Sequence, residues 1–98
     1  MDELLLFLAK ARNDHRIGPV HISLYVALLG LRLELGVSGV FPISREDLME
    51  RAKIGSKRVY YRCLRELAEG GYIGYEPERY RGKRSKVRFI NTPVAGAE

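Results

Sequence analysis

ISREDLMERAKIGSKRVYYRCLRELAEGGYI, residues Ile43 to Ile73, is the stretch that decides the fold. Ser44 is an N-cap residue, with Asp47 at the capping-box distance. A helix follows from Arg45 to about Lys53, with Leu48, Met49 and Ala52 as its apolar positions. Ala52 is small, which suits a place where two helices cross. Gly55 marks a tight turn and is the expected site of a positive φ. Ser56 is a second N-cap, and a longer helix runs from Lys57 to about Glu69 before Gly70-Gly71 ends it. On that helix Tyr60, Leu64 and Leu67 share an inward face. Lys57, Arg58, Tyr61, Arg62 and Arg65 then point outward.

Working outward, Tyr72–Glu76 and Lys86–Ile90 alternate as strands, and Lys86–Ile90 alternates basic with apolar residues. Pro77–Ser85 between them makes a hairpin with a long basic loop. Upstream lies a short extended piece, Phe41-Pro42-Ile43. Before it, a helix over Val20–Leu35 carries Leu24, Leu28, Leu31 and Leu35 at helical spacing, with Val20 and Ala27 beside them and Gly36 as its stop. Asn13–Pro19 reads as a loop, and Asp2–Arg12 as a first helix. Its run Leu4-Leu5-Leu6-Phe7-Leu8 is more apolar than one buried stripe needs. Either that helix is covered on several sides, or part of it awaits a second subunit. The expected fold class is mainly α with a small β-hairpin (α+β), one domain over 1–91. Its parts are an N-terminal helix (2–12), a helix-turn-helix (44–70) and a hairpin (72–91), with a tail over 92–98.

The order of helices, tight turn, helix and hairpin resembles the winged helix-turn-helix of bacterial regulators. The resemblance rests on Leu48, Ala52, Ile54, Gly55-Ser56, Val59–Tyr60, Leu64, Leu67 and the closing Gly-Tyr-Ile, a spacing shared by MarR- and GntR-type domains and plasmid replication initiators. From His21-Ile22-Ser23-Leu24-Tyr25 to Gly82-Lys83-Arg84-Ser85-Lys86-Val87 the chain looks closer still to small regulators of Bacteroidetes mobile elements. What the resemblance implies is a recognition helix and a basic wing on one DNA duplex.

Charge points the same way. The 98 residues carry 17 Lys and Arg against 12 Asp and Glu, a net charge of +5, and the pI is near 9.6. Residues 1–55 are balanced, with seven bases and seven acids, whereas 56–98 hold ten bases and five acids. The whole excess lies in the second half, as a polyanion partner requires. From Lys57 to Arg65 there are four bases and no acid, on a helix about 20 Å long, which fits the major groove. Lys57, Arg58, Tyr61 and Arg62 are the expected groove residues. Arg65 is placed nearer phosphate, and Ser56 caps the helix or donates to a phosphate. In the wing, Arg79, Arg81, Lys83, Arg84, Lys86 and Arg88 occur without an acid among them, suited to phosphates or to the minor groove. Of these, Arg79, Arg81, Lys83, Arg84 and Lys86 are expected to bind DNA. The competing readings are an ordinary solvated helix face and a charged strand edge that blocks aggregation.

Other functions find less support. His15, His21 and Cys63 lie far apart in sequence without metal-ligand spacing. His21 reads as a surface or capping residue, and Cys63 as a small core residue. The acids Glu46, Asp47 and Glu50 have no partner set for acid–base chemistry. We therefore expect no enzyme, cofactor or metal. The lone cysteine, the absence of a signal-peptide pattern and the lack of an uninterrupted apolar span point to a cytoplasmic setting and no membrane partner. The leading expectation is a sequence-specific double-stranded DNA-binding regulator. It would be a homodimer through the first two helices, on a palindromic site with half-sites about one helical turn apart. The alternatives are an accessory factor for replication, excision or transfer of a mobile element, and a winged-helix module for protein interaction or RNA binding.

Overall fold

The structure, a computed structural model, describes residues 2–78 and 83–90, and of Asp2 the backbone only. Four helices and three strands follow in the order α1 (Asp2–Ala11), α2 (Pro19–Leu35), β1 (Phe41–Pro42), α3 (Arg45–Ala52), α4 (Lys57–Glu69), β2 (Ile73–Glu76) and β3 (Lys86–Phe89). The strands form one antiparallel sheet in the order β1-β3-β2. The expected hairpin is therefore enlarged by a third strand, with β3 in the centre. Val87 faces both Phe41 on β1 and Tyr75 on β2. Pro42 sits on an edge strand, where its missing N–H breaks no ladder. The expected tail over 92–98 lies outside the described residues.

Local chemistry sets the helix ends. The Ser44 hydroxyl accepts from the Asp47 N–H, and the Ser56 hydroxyl from the Val59 N–H. Each satisfies one of the N–H groups that a helix start leaves unpaired. Gly36, at the end of α2, is left-handed with φ 66°. The turn between α3 and α4 differs from expectation. Gly55 does not take a positive φ; the left-handed residue is Lys53, at φ 61°. The cause is the C-cap of α3, where the Lys53 N–H bonds to the Glu50 carbonyl and the Ile54 N–H to the Met49 carbonyl. A side chain is disfavoured in that conformation, and a glycine is not. Lys53→Gly is therefore expected to raise stability by about 0.5–1 kcal/mol, read as a higher urea midpoint at an unchanged slope. Gly55→Ala, with open space around the added methyl, is expected to be close to neutral.

The core is continuous through all the elements. Leu24, Leu28 and Leu31 of α2 meet Leu48 of α3, Tyr60, Leu64 and Leu67 of α4, and Phe41, Ile73 and Val87 of the sheet. The ends of the expected α2 stripe are not part of it: Val20 and Leu35 are exposed at the two ends of the helix, where packing partners run out. Tyr25 and Phe7, which the leucine pattern did not single out, stack with ring centroids 3.9 Å apart. Phe7 also meets the edge of Tyr72, and Lys10 crosses from α1 to the Gly70 carbonyl at 3.0 Å. The first helix is thus anchored by Phe7, Ala11 and Lys10, but Leu5, Leu6 and Leu8 stay exposed. It is not covered on several sides.

Three buried tyrosines give the fold an alkaline limit. Burial pushes Tyr25 up to about 12, with the nearby Glu3 carboxylate adding to it. Burial also raises Tyr72 to about 12, helped by the hydrogen bond its hydroxyl donates to Asp14. Tyr60 is raised as well, again mainly by burial. An unfolded tyrosine ionises near 10. Below that pH the stabilisation is fully present, and it is lost as pH rises through the folded values. Denaturant midpoints are expected to hold to about pH 10 and fall steeply toward 12, and Tyr72→Phe should make that fall shallower.

Candidate nucleic-acid interface

The sharp amphipathicity of α4 builds the site. Tyr60, Cys63, Leu64 and Leu67 are buried, while Lys57, Arg58, Tyr61, Arg62 and Arg65 are exposed. The division between inward and outward residues is the one the spacing predicts. Ser56 is exposed at the N-terminus of α4, where the helix dipole favours an anion. Two acids temper the basic face. Glu66 Oε1 lies 3.9 Å from Arg62 Nε, and Glu69 Oε2 lies 4.0 Å from Arg65 Nε. Both are long i,i+4 pairs near the surface, of a kind that contributes little. Lys57 and Arg58 make no ion pair among the described residues.

The basic hairpin is tied to this helix through the start of α3. The Ile43 N–H donates to the Ser85 carbonyl at 2.9 Å. Two residues on, Arg45 donates from Nη1 to the Tyr61 hydroxyl at 3.4 Å. The Glu78 N–H donates to the Ser85 hydroxyl at 3.1 Å, linking the two arms of the hairpin loop. Lys83, Arg84 and Lys86 are exposed on its return arm. Arg79 and Arg81, expected in the same loop, lie outside the described residues. Arg45 was not among the expected residues. Its only signal in sequence was its place in the first turn after Ser44, and its contact with Tyr61 puts a fifth basic side chain beside the outward face of α4.

The structure revises the reading of His21. It is a capping residue, but it is buried at 7% exposure rather than on the surface. Its Nδ1 accepts from the Gly18 N–H at 3.0 Å, as a Glu or Gln at this third helical position would in a capping box. Its Nε2 meets Glu66 Oε1 at 2.8 Å. An acceptor at Nδ1 leaves the hydrogen of the neutral ring on Nε2, which donates it to Glu66. Cys63 lies in the same place. Two of the three residues that lie far apart in sequence, His21 and Cys63, come together with Glu66, all three donor atoms within 4.8 Å of one another. Burial pushes the Cys63 thiol up from its ordinary value, which is the behaviour of a packed cysteine rather than a reactive one.

One stretch of the surface carries exposed apolar residues. Val26, Leu29 and Leu33 recur at helical spacing along α2, and Leu33 is 82% exposed. Leu4 of α1 lines the same groove as Leu29 and Leu33, with Leu8 one turn further along its helix. Among the described residues no helix is long and apolar enough to cross a membrane. No protein-family model, curated protein or solved structure matches the chain.

Proposed function

We propose that this protein is a double-stranded DNA-binding regulator of the winged helix-turn-helix type. In this reading α4 enters the major groove and the β2–β3 hairpin follows the phosphates or the minor groove. The observation that carries it is the outward face of α4, where Lys57, Arg58, Arg62 and Arg65 are all exposed on a helix whose opposite face is entirely committed to the core. A helix held this firmly presents its cations in a fixed array, which groove recognition needs. The three-stranded sheet around β3 and the contact of Arg45 with Tyr61 support it further, because they join hairpin, α3 and α4 along one continuous edge. Exposed Lys83, Arg84 and Lys86 supply the wing contacts. A protein-interaction module would be expected to carry apolar or mixed residues on this face of α4. Binding of single-stranded RNA would call for an exposed aromatic platform, and of the aromatic residues on α4 only Tyr61 is exposed.

The test is a titration of random-sequence duplex DNA at several salt concentrations, with duplex and single-stranded RNA as competitors. A steep fall of affinity with salt and preference for duplex DNA support the reading. No binding at low salt, or displacement by RNA at equal concentration, overturns it. Sites recovered from the same pool beside promoters favour a transcriptional role, and sites at origins or attachment ends favour a role in mobile-element maintenance.

The same proposal includes a homodimer. Val26, Leu29 and Leu33 on α2, with Leu4 and Leu8 on α1, make an apolar stripe away from the basic face. Leu33→Glu is expected to shift sedimentation toward the monomer and to leave the melting temperature close to that of wild type, since Leu33 is outside the core. A wild-type chain that stays monomeric at high micromolar concentration counts against the dimer.

A further inference from the structure

We infer that His21, Cys63 and Glu66 form a binding site for a divalent metal ion of the zinc type, clamping the start of α2 to the middle of α4. The three donors come from a helix N-terminal turn and from two residues three apart on one face of another helix, so both supports are rigid. They are an imidazole, a thiol and a carboxylate, the mixed nitrogen, sulfur and oxygen set that zinc accepts. His21 and Cys63 are buried, and Glu66 is partly open to solvent. Tetrahedral zinc with bonds of about 2.0–2.3 Å holds its ligand atoms about 3.3–3.8 Å apart. The donors here lie within 4.8 Å of one another, with His21 Nε2 and Glu66 Oε1 at 2.8 Å, so closure requires the carboxylate to swing off the imidazole and Cys63 to approach it, shifts of about 1 Å. Water entering past Glu66 would fill the fourth position.

The protons balance simply. Cys63 gives its thiol proton to solvent and binds as thiolate. His21 moves its hydrogen from Nε2 to Nδ1, so that the Nε2 lone pair faces the metal. The Gly18 N–H then loses its acceptor, and the ring must shift so that this N–H and the new Nδ1–H do not face each other. Two hydrogen bonds of the ring, one accepted from the Gly18 N–H and one donated to Glu66, are exchanged for a metal–nitrogen bond. The hydrogen bond from His21 to Glu66 alone would require no cysteine at this point in the core.

A consequence rests on the DNA-binding reading. Glu66 is the carboxylate 3.9 Å from Arg62. Drawn onto a metal, it is turned from that outward cation, and duplex affinity rises modestly, because the pair is weak.

The test is titration of cobalt(II), as a spectroscopic probe, into the reduced, metal-free full chain. The expected result is a saturable one-to-one complex with tetrahedral visible bands and a thiolate-to-cobalt charge-transfer band, displaced by zinc. Cys63→Ala should remove the charge-transfer band, and Glu66→Gln should weaken binding about tenfold or more. Circular dichroism checks that both variants stay helical, and Glu66→Gln changes a partly exposed side chain that leaves the core intact. Absence of a saturable complex in the wild type, or an unchanged band in Cys63→Ala, overturns the site. An intact band with equal duplex affinity in zinc-loaded and metal-free protein removes the link to Arg62. An intact band with no duplex binding at all defeats the DNA reading and leaves the metal site standing.

Discussion

Arg58→Ala combined with Arg62→Ala is expected to weaken duplex binding by at least about thirtyfold, since each groove arginine contributes about 1–3 kcal/mol. If both side chains read bases at the upper end of that range, the loss exceeds about ten-thousandfold. If they meet phosphates instead, the log–log salt dependence should become shallower by about 1.8 units, two contacts at roughly 0.9 each. These outcomes separate base reading from phosphate contact. Folding should be nearly unaffected. Both residues are exposed, and the one ion pair removed among the described residues, Arg62 to Glu66 at 3.9 Å, is a weak one near the surface. Arg12→Ala, at an exposed position in the turn that follows α1, serves as the charge control. A comparable loss in that variant would mean that net charge, not a site on α4, drives binding. A double variant that binds as wild type would remove α4 from the interface.

The parts of the fold legible in sequence are those written in local chemistry. Ser44 and Ser56 sit three residues before the N–H groups they cap. Gly36 stops α2 because its left-handed backbone suits glycine. The inward and outward faces of α4 follow from 3.6 residues per turn. Where two local signals competed, the reading went astray. Gly55 looked like the left-handed residue of the turn because glycine is the usual occupant, yet the chain ends α3 two residues earlier on Lys53. Long-range pairings were harder to see. Phe41-Pro42 is too short to show alternation, and only its pairing with Val87 and Lys86, more than forty residues away, makes it a strand. His21 meets Glu66 across 45 residues, a separation at which spacing carries no information. The candidate site was legible on α4, where charge and periodicity coincide. Arg45 joins it only through a tertiary contact with Tyr61.

The second large effect is expected on the opposite face of the same helix. Leu64 is fully buried, within the cluster that joins α2, α3, α4 and the sheet. Leu64→Ala is expected to cost about 2–5 kcal/mol, the lost transfer free energy plus the cavity left behind. A domain of this size has about 5–15 kcal/mol in total, so the variant loses a large share of its stability. The urea midpoint should fall sharply at an unchanged slope, whereas Leu64→Met, which conserves volume, should lose less than about 1.5 kcal/mol. The two faces of α4 then give opposite signatures. Loss of Leu64 lowers stability, and binding measured well below the transition is lost only in proportion to unfolded protein. Loss of Arg58 and Arg62 lowers binding and spares stability. A Leu64→Ala chain as stable as wild type would mean that α4 is not packed on the core through this residue. In that case the outward array of cations would lose the rigid support on which the proposed recognition depends.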